Sequence, residues 1–455
     1  MRLRFEMCSR LSSMRIRLFD LTDAARRADE ALLRMAPAAR DELARAAQTR
    51  ASALGLMRGA TPIPLVLSPC SLPRAELGQL GKGARLLTSA LVRVARELIE
   101  RRPEKARLLF HHLSPLESEA LRSRWREAEE LLHSRIDWFV DRDGGVRALE
   151  INATIPAMQV YSDAAARGWV ETVAPARAGV LARSPANAPW LLDALLAAAR
   201  GRQRPLKVQL LHREGDPQVT ELRALAEQLR ERGIEARTVT PADVALDGDP
   251  HRVLYRHLFA RYVEPSTPLG RAFLDPVRHG MWNRVDGWLE TKGLFAELSL
   301  QAASAQSLSP EERASVADLV PWTRLLDDID DAALGDGDRF VLKKSHDYGG
   351  KSVVIGREAG PAAFKQALAR ARADASGSWV AQELVDAPAI ERFLCAEAGA
   401  RRLSLHLDIS TYASLVPGVP DGGSVCRAAP GRVVNIVGGG GVAPLFADDV
   451  LSGLL

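Results

Sequence analysis

Phe340-Val341-Leu342-Lys343-Lys344-Ser345-His346-Asp347-Tyr348-Gly349-Gly350-Lys351-Ser352 reads as a strand ending at a lysine, then a turn, then two glycines before a second strand starts at Val353. The strand delivers the ammonium of Lys343. Gly349 and Gly350 carry no Cβ, so main-chain N–H groups there can approach a ligand closely. Backbone donors and an ammonium converging on one point suit phosphate oxygens. The order is not that of a Walker A loop, because GxxxxGK[ST] is absent and the glycines follow the key lysine. Nor does Gly78-Gln79-Leu80-Gly81-Lys82-Gly83 match that pattern. A β-hairpin with a glycine turn and solvated lysines accounts for the segment equally well, so its meaning depends on its company.

Lysine usage points to the same place. Of the 61 basic residues only eight are lysine, and three of those, Lys343, Lys344 and Lys351, fall within nine residues. A GC-rich coding bias explains the arginine excess. It leaves lysine mainly where a compact ammonium does something a guanidinium fork cannot.

Composition excludes several classes. At 455 residues the chain has room for two or three domains with large cores. Its 47% hydrophobic and 26% charged residues argue against disorder or a fibrous repeat. A formal net charge of +4 is nearly balanced, and acids interleave the bases throughout, which argues against a nucleic-acid partner. No window holds the roughly eighteen consecutive apolar residues of a membrane span. Met1–Leu18 is broken by Glu6, Ser9, Arg10 and Arg15, so no signal peptide is expected there. Cys8, Cys70, Cys395 and Cys426 show no CxxC spacing, so neither a zinc site nor a disulfide framework is expected, and a cytoplasmic location is the default.

The texture divides the chain. Asp23–Thr49, Ala75–Arg101 and Pro115–Ser134 carry helical periodicity, interrupted by an extended stretch at Pro62–Ser71. Ile136–Asp141 and Val146–Asn152 read as a hairpin about the Asp143-Gly144-Gly145 turn. Helical texture returns over Trp190–Arg200. From Gln203, strands at Leu206–Leu211, Ile234–Val239 and Arg252–Tyr255 alternate with a helix at Val219–Arg232, which predicts a small parallel sheet. From Asn283 onward the expected strands are Arg339–Lys343, Ser352–Ile355, Trp379–Glu383, Ser404–Ile409 and Arg432–Val437, with a helix at Pro361–Ala373.

Glu150-Ile151-Asn152 ends the second arm of the hairpin. Alternation puts Glu150 and Asn152 on one face, about 6–7 Å apart. A carboxylate and an amide oxygen form a hard oxygen pair suited to Mg²⁺, although strand ends often carry polar residues for no such reason. Near the carboxy terminus, Arg427 is followed by Asn435 and Gly438-Gly439-Gly440-Gly441. Four glycines in a row suit either a lid that closes on phosphate, with Arg427 donating to developing charge, or a plain flexible loop. Trp379-Val380-Ala381-Gln382-Glu383-Leu384-Val385 resembles a strand running into a linker whose main-chain groups would face an adenine ring.

Taken in order, these pieces resemble an ATP-grasp ligase, and more narrowly the circularly permuted kind found in eukaryotic-type glutathione synthetase, glutathionylspermidine synthetase and bacterial relatives. Ordinary ATP-grasp enzymes place the Glu-x-Asn motif near the carboxy terminus, whereas here Glu150-x-Asn152 comes long before Lys343. Arg135-Ile136-Asp137 is similar to the Arg-x-Asp upstream of that motif. The resemblance spans roughly residues 110–455. His346-Asp347-Tyr348 departs from the usual basic-Glu-Gly, and the lid lacks the family's lysine.

The resemblance implies an α/β (α+β) fold: a circularly permuted ATP-grasp fold with a small parallel α/β substrate domain and a helical amino-terminal region. The expected division is 1–110 helical, 111–202 the metal-strand part of the catalytic domain, 203–282 the substrate domain, and 283–455 the nucleotide-binding part with its lid. It further implies ATP and Mg²⁺. Glu150, Asn152 and Asp347 would hold the metal, and Lys292 and Lys343 the phosphates beside Gly349 and Gly350. Gln382, Glu383 and Val385 would read adenine, Gly439 and Gly440 would form the lid, and Arg427 would act with Lys343 in catalysis. Arg135 and Arg256 would hold a carboxylate substrate. The activity implied is a carboxylate–amine ligase working through an acyl phosphate on small-molecule substrates, with a homodimer possible. A small-molecule kinase and a weakly catalytic nucleotide-binding partner protein stay open as alternatives.

Overall fold

The computed structural model describes residues 22–455 apart from 185, 302–305, 348, 349, 351, 376, 377 and 437. Met1–Leu18, Cys8 and Gly349 lie outside the described residues.

The chain reverses at 141–145 because Asp141 Oδ1 accepts from the N–H groups of Asp143 (3.0 Å) and Gly145 (2.8 Å), while Gly144 takes a φ of +80°. The arms of this hairpin are the antiparallel strands Ser134–Val140 and Val146–Asn152. Along the first arm Ile136, Trp138 and Val140 join the core, while Arg135, Asp137 and Phe139 face a cavity, as a two-residue period requires. The register slips once: Asp137 lies opposite Glu150 but Trp138 lies opposite Ala148, so Leu149 is an extra residue. That bulge resets the parity of the second arm and brings Glu150 and Asn152 out on the cavity face.

The hairpin belongs to a six-stranded antiparallel sheet built from both ends of the chain. The long strand Gly399–Ala413 pairs with the Ser134 arm, Ser410 opposite Asp137, and with Ser424–Ala429, Asp408 opposite Arg427. Gly441–Ala443 and Ala389–Ala396 complete it. The helix Arg74–Arg101 covers the back, burying Leu87, Leu91, Val94 and Leu98 at helical spacing against Ile136 and Trp138.

A second sheet, ordered Thr323–Leu325, Trp379–Glu383, Phe340–Lys344, Val353–Ile355, is also antiparallel. Leu342 and Ala381 point to the helix Gly356–Ala373 and its Phe364, whereas Val341, Lys343 and Gln382 point to the cavity. That helix starts five residues before the expected Pro361, with non-helical backbone at Gly360 (φ 76°, ψ 164°). A third sheet, Glu235–Val239, Lys207–His212, Arg252–His257 and Met281–Trp282, is parallel throughout, with the helix Val219–Glu231 as a crossover.

The amino-terminal helices Asp23–Arg34 and Pro37–Ala53 lead into the extended stretch, which is tied to the far end of the chain. Cys70–Leu72 pairs in parallel with Leu445–Ala447, and single bridges join Leu65 to Val442 and Val66 to Leu394. One expected strand is absent. Residues 432–436 form no strand, because they follow the Pro430-Gly431 break and cross the mouth of the cavity; the sheet continues instead through Gly441–Ala443. Among the described residues no helix is long and apolar enough to cross a membrane.

Candidate functional site

The two antiparallel sheets line a cavity of about 410 Å³, to which the parallel-sheet unit adds only the loop residues Pro217, Gln218 and Phe259. Most of the residues expected at the site line it: Arg135, Glu150, Asn152, Lys292, Lys343, Asp347, Gly350, Gln382, Glu383, Val385 and Arg427.

One wall is a buried network of two arginines and two aspartates. Arg135 grips Asp137 with Nε to Oδ1 at 2.8 Å and Nη2 to Oδ2 at 3.1 Å. Arg427 donates from Nε to Asp408 Oδ1 at 2.9 Å, from Nη2 to Asp408 Oδ2, and from Nη2 to Asp137 Oδ2 at 2.9 Å. Asn152 Nδ2 adds a bond to Asp137 Oδ2 at 3.2 Å. Burial alone would raise the pKa of Asp137, but the flanking guanidiniums of Arg135 and Arg427 overcome that and hold it below the usual carboxylate range. Asp408 is pushed up to about 6 by burial, with Arg427 opposing. The wall is therefore rigid and close to neutral, its charges matched across the strand register.

Opposite it lie the two lysines. Lys343 is buried and donates to Gln382 Oε1 at 2.6 Å across the strand pair. Burial lowers its ammonium pKa to about 8; Lys292 adds to the lowering, and Glu150 opposes it. Lys292 donates to the main-chain oxygen of Asp347 at 2.7 Å and stands 3.4 Å from Glu150 Oε2. Asp347 Oδ2 accepts from Ser352 Oγ. Gly350 has a φ of +75°, and a Cβ there would stand 2.5 Å from Val433 Cγ1, so the glycine turn sits directly beneath the 432–436 segment. At the expected adenine edge, Glu383 N–H donates to Trp322 O and Leu384 N–H to Arg339 O, both at 2.8 Å.

Two groups of expected residues stand elsewhere. Arg256 is fully buried and directs its guanidinium at four main-chain oxygens, of Asn283 (2.7 Å), Leu258 (2.5 Å), Thr154 (3.2 Å) and Arg284 (2.7 Å). It does not line the cavity; it clamps the third sheet to the segment after Asn152. Gly439 and Gly440 are also outside the lining. Gly440 N–H bonds Asn435 O at 3.1 Å, and a Cβ at 440 would collide with that oxygen and with Ala428 O, so this glycine serves a tight turn.

The comparisons with known proteins come from structure alone: no family model and no curated protein sequence matches the chain. A glutathione synthetase-like effector from Globodera pallida, in its apo form, superposes with a TM-score of 0.59 at 14% identity, over 91% of this chain and 98% of that one. The chain has the glutathione synthetase-like ATP-grasp fold. A protein assigned as a gamma-glutamylcysteine synthetase from Methylobacillus flagellatus matches at a TM-score of 0.36 and 11% identity, over 76% of this chain and 84% of that one, a likeness too slight to argue from.

Within this fold several residues carry the site without a motif to announce them. Asp408 comes from a strand distant in sequence. Glu290 accepts from the N–H groups of Ala153 (2.8 Å) and Thr154 (2.6 Å), fastening the end of the Glu150 strand to the turn that carries Lys292. Its place two residues before Lys292 was the available signal. Met158 lines the cavity with a φ of +90°, and the carboxylate of Glu221 holds it there by accepting from Met158 N–H (3.0 and 3.1 Å) and Val160 N–H (3.0 Å). A non-glycine residue fixed in that region costs of order 1–3 kcal/mol and tends to mark ligand sites.

Proposed function

We propose that the protein is an ATP- and Mg²⁺-dependent carboxylate–amine ligase acting through an acyl phosphate. The observation that carries this reading is the meeting of Lys292 and Lys343 with Glu150, Asn152 and Asp347 in a single cavity walled by Arg135 and Arg427.

The oxygen donors of Glu150, Asn152 and Asp347 fit a hard cation. Among the described residues no group of three or more histidine, cysteine, aspartate or glutamate side chains forms a ready metal cage. Mg²⁺ commonly takes one or two carboxylates and completes its shell with water and phosphate oxygens, and the Glu150, Asn152 and Asp347 donors meet that need. When bound, Mg²⁺ supplies charge neutralisation to the phosphates.

The chain's own residues do the rest. Lys343 and Lys292 bind the nucleotide phosphates, and the N–H of Gly350 approaches them from the turn. The substrate carboxylate attacks the γ-phosphorus and ADP leaves. An amine then attacks the acyl carbon, the C–O bond to phosphate breaks, phosphate leaves with the proton the amine gives up, and an amide remains. Two nitrogens of Arg427 are fixed by Asp408 and Asp137, so Nη1 would meet the oxygens on which negative charge grows. Arg135, locked by Asp137, orients the acidic substrate. The 432–436 segment over Gly350 limits water around the acyl phosphate.

The test is turnover of ATP in the presence of paired small carboxylates and amines, with and without Mg²⁺, on wild type and Lys343→Ala. ADP together with a new amide, both lost in the variant, is the expected result. A stable phosphoester would make the protein a kinase. Nucleotide binding without turnover would make it a binding partner, and no binding at all would sink all three.

A further inference from the structure

Cys70 and Cys426, far apart in sequence, meet behind the site with their sulfurs 3.9 Å apart. Cys70 is 5% exposed and Cys426 1%. Cys426 immediately precedes Arg427 on the strand Ser424–Ala429 and points to the opposite face. Cys70 lies in the strand that pairs with Leu445–Ala447, and Ala443 sits opposite Cys426, so the sulfurs bracket one short length of chain.

A third residue gives the pair its chemistry. Arg392 is buried on Ala389–Ala396, and its Nε and Nη2 have no hydrogen-bond partner, while Nη1 donates only to Glu391 O at 2.8 Å. It makes no ion pair with a carboxylate among the described residues, and the nearby Asp29 is engaged by Ser68 Oγ at 2.6 Å. A buried guanidinium needs an anion. Its charge acts on Cys70. The thiol of Cys426 is directed at Cys70, and that bond, with Arg392 assisting against burial, lowers the Cys70 pKa to about 7, while Cys426 is held well above the usual thiol range. The Cys426 bond and the Arg392 charge thus favour loss of the proton from Cys70 over loss from Cys426. The lack of CxxC spacing in the sequence hides a pairing that the sheet creates.

We propose that Cys70 and Cys426 are an oxidative modification site, a dithiol that a small hydroperoxide converts to a disulfide, tying the strand of Arg427 to the amino-terminal segment and weakening the nucleotide site. The Cys70 thiolate attacks the outer oxygen of the peroxide and the O–O bond breaks; the departing oxygen takes a proton and leaves as alcohol or water. Cys70 is then a sulfenic acid. The Cys426 sulfur attacks it, the S–O bond breaks, and the hydroxide leaves as water with the Cys426 proton. Two thiols are oxidised and one peroxide is reduced. The sulfurs must close from 3.9 Å to about 2.05 Å, which turns both side chains and pulls on the strand that carries Arg427, and Arg392 loses its counter-anion.

The experiment treats the full-length protein with hydrogen peroxide, maps disulfides by mass spectrometry, and measures Mg·ATP affinity before and after reduction with dithiothreitol. The expected result is a Cys70–Cys426 disulfide, a severalfold loss of affinity restored by reductant, and no response in Cys70→Ser or Cys426→Ser. Cys395→Ser should respond like wild type. Arg392→Met should slow the oxidation severalfold. Mapping in the wild type does not depend on the variants folding. Sulfinic acid without the disulfide, or a disulfide that leaves affinity unchanged, would overturn the proposal; a protein that binds no nucleotide but forms the disulfide would fault the ligase reading and the coupling, not the modification.

Discussion

Asp137 and Arg427, 290 residues apart, bond at 2.9 Å because the long strand Gly399–Ala413 stands between their own strands and sets both registers at once. The same strand supplies Asp408, so each arginine of the wall has a carboxylate held by the sheet itself. Replacing Asp408 with Asn should leave Arg427 buried with half its charge compensation. The expected loss is about 3–5 kcal/mol of folding stability, read from the denaturant midpoint. A loss below about 0.5 kcal/mol, the usual range for surface changes, would mean the wall is not a coupled network.

Lys343 makes nucleotide affinity depend on pH. Its folded pKa is about 8 against an ordinary 10.5. Phosphate favours the ammonium, so affinity should be flat below pH 7 and fall as pH rises through 8. The effect on stability has the opposite sign. The unfolded chain binds the proton more tightly, so the penalty is fully present below pH 8 and fades as pH rises toward 10.5. Lys343→Met should therefore raise stability at pH 7 by about 1–3 kcal/mol while abolishing nucleotide binding. Calorimetric titration and thermal unfolding across pH 6–10 check both halves.

Glu150 has the reverse character. Its side chain is about one-third exposed and pairs only loosely with Lys292. Glu150→Gln should change stability by less than about 0.5 kcal/mol. It should cost roughly 3 kcal/mol in the transition state, about 100-fold in Mg²⁺-dependent turnover. Unaltered Mg²⁺ dependence in this variant would remove Glu150 from the metal assignment.

Gly350 and Val433 form the contact between the glycine turn and the segment above it. Gly350→Ala places a methyl in a left-handed backbone position and against Val433, so a loss of about 1 kcal/mol in stability and a larger loss in nucleotide affinity are expected. Val433→Ala should recover part of the affinity, because it opens the space without relieving the backbone. Additive effects in the double mutant would show that the two do not touch in the working state.

What the sequence disclosed follows from how local each signal is. Lys343 stands near a strand end with Gly350 in the turn after it, and alternation along another strand puts Glu150 and Asn152 on one face. Even there the outcome rested on Leu149, whose bulge is invisible in composition. Asp408 sits in an ordinary-looking strand, and only its pairing with Arg427 gives it meaning. Arg256 is expected to hold substrate only through the family resemblance, by its position after Val253-Leu254-Tyr255; the carbonyls that surround it come from three separate segments. The apolar run at 432–436 mimicked a strand, but Pro430 and Gly431 detach it from the sheet. Helices and the parallel sheet were legible from periodicity, whereas the weaving of residues 62–72 into the far end depends on long-range pairing that no window contains.

That weaving has a consequence during synthesis. The Ser134 hairpin leaves the ribosome with Asp137 lacking Arg427 and one edge unpaired, and its neighbour in the sheet, Gly399–Ala413, is translated more than 240 residues later. Until then the nascent chain exposes a strand edge prone to wrong partners. Truncation anywhere before residue 413 should therefore yield aggregating or degraded fragments, not a smaller working protein.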